Sequence, residues 1–441
     1  MNDNPHRRSV ATTVVGNFVE YFDWLAYGLF APLFAARFFP SDNAVTSLLG
    51  ALAVFGTGML CRPLGGILLG RLADRRGRRP ALMVSVALMA AGSTLIGVAP
   101  TYGTVGLLAP VLLLLARMAQ GVSSGGEWPA AVTYLMELAP PHRKCLYGSL
   151  FSMTAAAGAF AASLLGGGLT AWFGPAAMAD WGWRVPFLVG GLLGAGLLLA
   201  RNRLTETPVF QREVRARAGR GSLRGLLRSH RRQVLLTVLL VAGLAVVTGT
   251  WSTVVPATGH RLAAPGTMFW VVVCATAGVS VLLPGLGMLA DRVGAGRFLV
   301  VASAAFALVG PYAFTRMSGS FASLLFAYGS GVLYMGCATA VMPKVLAGLF
   351  PPEVRALGIG LPHATTTAVL GGVTPYLAAY LGERGAGGWF AVAVAAAVLL
   401  AWPARNLGEA AARPRALALT APHMQDTKDP FPVEGGHHDR R

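Results

Sequence analysis

Long apolar runs fill most of the chain, and short clusters of charge interrupt them at intervals. Each run is long enough for a helix that crosses a bilayer, which takes about 20 mainly apolar residues. The pattern predicts twelve helices, over 12–36, 44–71, 80–99, 104–138, 145–172, 183–202, 233–257, 265–289, 297–315, 319–343, 354–380 and 386–403. The fourth is overlong, so it either runs past the membrane or breaks near Pro129. The polar connections alternate in character. One set carries Arg7 and Arg8, the Arg71 to Arg79 block, Arg143 with Lys144, the arginine-rich 201–232 stretch, Arg292 with Arg297, Lys344 with Arg355, and Arg405; the other carries single arginines at Arg37, Arg184, Arg261, Arg316 and Arg384. Basic loops stay on the cytoplasmic side, which places both termini there.

An internal repeat sharpens this picture. Gly70-Arg71-Leu72-Ala73-Asp74-Arg75-Arg76-Gly77 is echoed by Gly287-Met288-Leu289-Ala290-Asp291-Arg292-Val293-Gly294, and Ala139-Pro140-Pro141-His142-Arg143-Lys144 by Phe350-Pro351-Pro352-Glu353-Val354-Arg355. Two related halves in a membrane chain point to a transporter built by duplication. The expected division is a cytoplasmic start at 1–11, a six-helix bundle at 12–202, a linker at 203–232 whose surface helices lie on anionic lipid, a second bundle at 233–404, and a disordered tail at 405–441. The expected fold class is all-α, and a cleaved signal is not expected because the first apolar run is long and no Ala-x-Ala site precedes the next.

Composition excludes several classes. Of 441 residues, 54% are hydrophobic and 12% charged, which rules out a single soluble domain. The net charge of +18 raises the question of nucleic acid, but the basic residues sit where topology needs them, so no nucleic-acid partner is expected. Cys61, Cys145, Cys274 and Cys337 have no CxxC spacing, which indicates neither a disulfide framework nor a zinc site, and His437 and His438 belong to the tail. No phosphate-cradling loop with its lysine is present, so the chain is not expected to hydrolyse ATP, to act as an enzyme or to hold a cofactor.

Chemistry must then come from polar residues at membrane depth, which are costly there and functional by default. In GNFVEYFDWLAYG, Asn17, Glu20 and Tyr27 share one face of the first helix, with Asp23 beside it. The bland alternative is that the two carboxylates pair with a basic residue near an interface. Arg62 lies about 18 Å of helical rise before Asp74, too deep for easy snorkelling, and its counterpart in the second half, Val279, is uncharged. Its fork of donors suits a carboxylate, of the substrate or of the protein itself. In RMAQGVSSGGEW, Arg117, Gln120, Ser124 and Glu127 form one polar stripe, able to hold an anion at one end and relay a proton at the other. Gly121, Gly125 and Gly126 allow a neighbouring helix to approach closely. Candidate substrate ligands are therefore Arg62, Arg117, Gln120, Tyr27 and Asn17, and candidate proton carriers Glu20, Asp23 and Glu127, with His363 a weaker one. Asp74, Arg71, Arg75 and Arg78, with Asp291 and Arg292, form a candidate gating set: Asp74 is expected to face the N-terminus of the next helix and nearby arginines, contacts that form and break as the protein changes state.

Several of these stretches carry a resemblance. RLADRRGRRP after Gly70 resembles the signature loop of the major facilitator superfamily. GNFVEYFDWLAYG, RPLGG at 62–66, ARMAQGVSSGGEWPAAVTYLMELAP at 116–140, WGWRVPFLVGG at 181–191 and LTETPVF at 204–210 resemble, more narrowly, the metabolite:proton symporter family. That family includes permeases for alpha-ketoglutarate, citrate, shikimate and proline or glycine betaine. The resemblance implies a twelve-helix fold of two six-helix bundles, alternating access, and symport of a small organic acid or zwitterion driven by the proton gradient, in a monomer among membrane lipids. The second half departs from the family pattern at GMLADRVGAGR and at TGTWSTVVPATGHRLA. Proton-antiport export of a hydrophobic metabolite is the alternative on the same fold, and a non-transporting receptor or sensor the alternative of another class.

Overall fold

The computed structural model describes residues 5–201, 223–263 and 267–406. Its long helices are α1 (Pro5–Phe38), α2 (Ala44–Arg76), α3 (Arg78–Val98), α4 (Leu108–Leu138), α5 (Lys144–Ala177), α6 (Arg184–Arg201), α7 (Arg231–Gly249), α8 (Thr267–Val293), α9 (Ala295–Thr315), α10 (Phe321–Leu349), α11 (Arg355–Glu383) and α12 (Gly387–Leu399). Ten helical stretches of the described residues are long and apolar enough to cross a membrane, and the chain is a multi-pass membrane protein. The linker core at 202–222, the tail at 407–441 with His437 and His438, and residues 1–4 lie outside the described residues.

Apolar burial drives little association between helices in lipid, where packing and polar contacts decide which helices meet. The α2–α4 seam shows the packing term. A methyl group on Gly121 would overlap the Gly58 carbonyl, and one on Gly125 the Arg62 carbonyl, so these two backbones touch only because no side chain intervenes. α3 packs on α4 and α6, and α1 on α5 and α6. In the second half α8 and α9 pack on α10, and α7 on α11 and α12. The halves meet where α2 lies along α11, and where α5 lies along α8 and α10.

The repeated GxLAD segments end their helices in the same way. Gly77 and Gly294 adopt φ of 112° and 100°, a left-handed conformation that lets α2 turn at once into α3 and α8 into α9. Differences from the sequence pattern have local causes. α4 is continuous through Pro129, and the overlong run breaks instead at Gly106, φ 59°, after a short turn at Tyr102–Val105. α7 does not simply end: it widens into a π turn over Thr250–Val254 and continues as Val255–Leu262. α1, α2 and α10 run past their apolar stretches, to Pro5, Arg76 and Leu349, because a helix keeps its hydrogen bonds after leaving hydrocarbon.

Candidate functional site

Polar side chains at membrane depth converge between α1, α2, α3, α4 and α6. Asp23 is buried, and both of its oxygens are occupied: the Ser93 hydroxyl of α3 donates to one, and Gln120 Nε2 of α4 donates to the other at 2.5 Å. Gln120 accepts in turn from Arg117 Nη1 at 2.6 Å, so one amide links the Asp23 carboxylate to a guanidinium. Arg117 has no exposed surface and lies 4.3 Å from the Tyr27 ring centroid and 4.9 Å from those of Trp24 and Phe55, a cation among aromatic faces. Glu20, one turn before Trp24, accepts from the Ser124 hydroxyl through Oε1, while its buried Oε2 has no partner among the described residues.

Arg62 differs from the other cations of this cluster. Its guanidinium stacks 4.3 Å above Trp24 and makes no hydrogen bond among the described residues, whereas Arg117, whose Nε and Nη2 are also unpaired, is tied to Gln120 through Nη1, and Arg201, whose Nε is also unpaired, is tied to Glu127. Its charge acts on Glu20 and Tyr21 of α1 and on His363 of α11. His363 lies flat against Trp128 of α4, centroids 3.9 Å apart and planes 7° apart, which brings a second-half ring to the first-half cluster. A guanidinium in this condition has the donors to hold a carboxylate bidentately.

The far end of the α4 stripe is closed. Glu127 accepts from Arg201 Nη2 at 2.8 Å and from the Ser85 hydroxyl at 3.2 Å, with both ionic side chains almost fully buried. Arg201 also donates to the Leu82 carbonyl at 2.9 Å, and it fits against α1 only because residue 16 is glycine. The sequence reading grouped Arg201 with the basic linker. Nothing in the linear pattern separates it from its neighbours, although a buried Glu127 at this depth demands a counter-ion.

A second constellation occupies the arginine-rich end. The Asp74 carboxylate accepts from the backbone N–H groups of Ala356, 3.1 Å, and Leu357, 2.9 Å, in the first turn of α11. The expectation for Asp74 is met in its arginine, since Arg78 at the start of α3 lies 3.6 Å away, and corrected in its helix: the backbone N–H groups that the carboxylate caps belong to α11 of the other half rather than to α3. Asp291 does the converse, accepting from Cys145 N and Leu146 N, both at 3.0 Å, in the first turn of α5, and from Lys344 Nζ at 3.0 Å. Each carboxylate meets the positive end of a helix dipole. Arg78 lies 3.6 Å from Asp74 and donates to Glu137 at 3.0 Å and to the Pro352 carbonyl at 3.0 Å; Arg355 donates to the same Glu137 oxygen at 3.0 Å. Glu137, Lys344 and Arg355 complete this network, and the sequence reading assigned them no part in it.

The structure thus gathers Glu20, Asp23, Tyr27, Arg62, Arg117, Gln120 and Glu127 in one region. Asn17 points elsewhere, donating to the Phe151 carbonyl of α5 at 2.7 Å, and the Tyr27 hydroxyl donates to the Ala51 carbonyl of α2 at 3.0 Å. Among the gating candidates Arg75 and Arg292 are exposed, and Arg71 is half-buried. Among the described residues no group of three or more His, Cys, Asp or Glu is placed to hold a metal ion.

Membrane-crossing helices with a duplicated frame, a polar cluster at depth and a polar closure at one end define a secondary transporter. Residues 13–264 match the Major Facilitator Superfamily, and the chain belongs to that family. It is 36% identical over 385 residues to the alpha-ketoglutarate permease of Escherichia coli K12, covering 84% of this chain and 86% of the permease. It is 34% identical over 397 residues to the citrate-proton symporter of Klebsiella pneumoniae, covering 88% of each, and 31% identical over 403 residues to the proline/betaine transporter of E. coli K12, covering 87% and 79%. The fold is also that of the proton:xylose symporter XylE, TM-score 0.72 at 16% identity over 91% of this chain and 95% of that one, and of the E. coli fucose:proton symporter FucP, TM-score 0.69 at 14% identity over 91% and 99%. The chain is a transporter of the metabolite:proton symporter type, not an enzyme.

Proposed function

We propose that the protein takes up a small organic acid or zwitterion together with a proton, by alternating access between two six-helix bundles, 12–202 and 233–404, with twelve membrane spans and both termini in the cytoplasm. The observation that carries this reading is Arg62: a cation at membrane depth, stacked on Trp24 but without a hydrogen-bonding partner among the described residues, beside a carboxylate oxygen of Glu20 that also lacks one. Glu20 and Asp23 are the proton carriers in this reading. Glu127, held by Arg201 and Ser85, positions α4 against α3 and α6. The capped helices at the arginine-rich end close the cytoplasmic side, and their release opens the cavity inward. The transporting unit is a monomer among membrane lipids. The test is uptake of a radiolabelled acid and amino-acid panel into proteoliposomes under an imposed proton gradient. Accumulation that collapses when the gradient is dissipated supports symport. Accumulation of a lipophilic compound driven by the opposite gradient would replace it with export.

A further inference from the structure

A symporter of this arrangement has two kinds of substrate open to it, an acid anion and a zwitterion, and three features of the site separate them. The first is the state of the aromatic faces. A quaternary or secondary ammonium group is recognised by open aromatic faces. Here Trp24 already carries Arg62 at 4.3 Å, Arg117 at 4.9 Å and the Phe55 ring at 4.6 Å. Tyr27 and Phe55 also carry Arg117, and Trp128 is covered by His363. A substrate cation seated on these rings would meet guanidinium groups at a few ångströms.

The second feature is where a substrate cation could pair instead. Both Asp23 oxygens accept from Ser93 and Gln120, and both Glu127 oxygens from Arg201 and Ser85. That leaves Oε2 of Glu20, buried and unpaired among the described residues, on a carboxylate within electrostatic reach of Glu127 of α4, Arg62 of α2 and Arg201 of α6. A substrate ammonium there would take the place a co-transported proton needs, which produces exchange rather than co-entry.

The third is charge balance. Glu20, Asp23 and Glu127 face Arg62, Arg117 and Arg201, three of each sign. One proton on Glu20 leaves a single positive charge, and one carboxylate restores neutrality; Arg62 makes no hydrogen bond among the described residues, while Arg117, with Nε and Nη2 unpaired, is already held by Gln120 and enclosed by aromatic faces. A zwitterion does not.

We infer that the site selects carboxylate anions that carry no cationic group, with Arg62 the residue that sets this choice. This rests on the symport reading above and narrows it. The experiment uses the full chain in liposomes containing a pH-sensitive dye, at acid external pH, with protein-free liposomes as the blank. Lactate, succinate, 2-oxoglutarate and citrate are compared with glycine betaine and proline. At least one carboxylate should acidify the lumen more than about tenfold faster than either zwitterion, the minimum expected from like-charge repulsion at this range and an effective dielectric near 20. Arg62→Lys should raise the apparent constant for that carboxylate about tenfold or more without improving either zwitterion. Glycine betaine or proline matching the best carboxylate overturns the selectivity and leaves symport standing. Silence with all six compounds overturns both.

Discussion

Removing one carboxylate at the arginine-rich end should shift the balance between the two access states. Asp74→Asn keeps the shape but not the charge. The native carboxylate accepts from two N–H groups of α11 at 3.1 and 2.9 Å and lies 3.6 Å from Arg78. An asparagine oxygen can keep one of the backbone bonds, but its amide nitrogen is a donor turned toward another donor. About one charge-assisted hydrogen bond is lost, about 1.5–3 kcal/mol, or roughly 10- to 150-fold in the population of the closed arrangement. The chain carries its own reporter: Cys145 has no exposed surface and lies where α5 meets Asp291 of the other half. Its alkylation by a water-soluble maleimide, followed by peptide mass spectrometry to separate it from the exposed Cys274, measures how often this end opens. Asp74→Asn and Asp291→Asn should each accelerate labelling of Cys145, and the double variant should do so most. If both single variants label at the native rate while the protein stays folded, the capped helices do not hold this end shut.

Other outcomes follow from the same geometry. Glu20→Gln and Asp23→Asn should abolish accumulation against a gradient but retain counterflow of substrate already inside, and if both variants still accumulate, the proton is carried elsewhere. Glu127→Gln or Arg201→Gln alone strands a buried charge and should cost about 3–5 kcal/mol, seen as lost detergent-stable protein; the double variant should recover folding, and failure to do so would argue against the pair. Reporter fusions after residue 230 and residue 410 should read as cytoplasmic and one near Gly319 as external, and a periplasmic signal at 230 would invert the topology.

The helix order was legible because the bilayer imposes it: a span needs a long apolar run whatever its neighbours do. Helix ends were less legible, since hydropathy stops at the membrane surface and hydrogen bonding does not, as α2 shows by continuing to Arg76. Single-helix patterns were read in part, since Asn17, placed on one face with Glu20 and Tyr27, turns instead to the Phe151 carbonyl. Asp23 and Gln120, found separately on α1 and α4, prove to be in contact at 2.5 Å. Pairings across helices were not legible, because sequence distance carries no information about them: Glu127 and Arg201 are 74 positions apart, and Asp74 and Leu357 are 283 apart. Both repeats were visible, but their crossing was not. Each GxLAD carboxylate caps the helix that follows the double-proline segment of the opposite half, a relation that only a two-fold arrangement of the halves creates.

That crossing explains which features the second half keeps. A closure has to be made by both halves, and both carboxylates persist, at Asp74 and Asp291, each on the first turn of a helix in the other half. A proton site need exist only once. The ionic cluster accordingly lies in α1, α2, α4 and α6, while the second half buries Trp251, Phe306, Tyr334 and Val279, the last standing where the first half has Arg62. The second half meets this cluster through the His363 ring laid flat on Trp128. In the reading proposed above, charge selection and proton coupling then belong to the first half. Under that division the second half can depart from the family pattern at GMLADRVGAGR while its GxLAD segment keeps Asp291 on the first turn of α5.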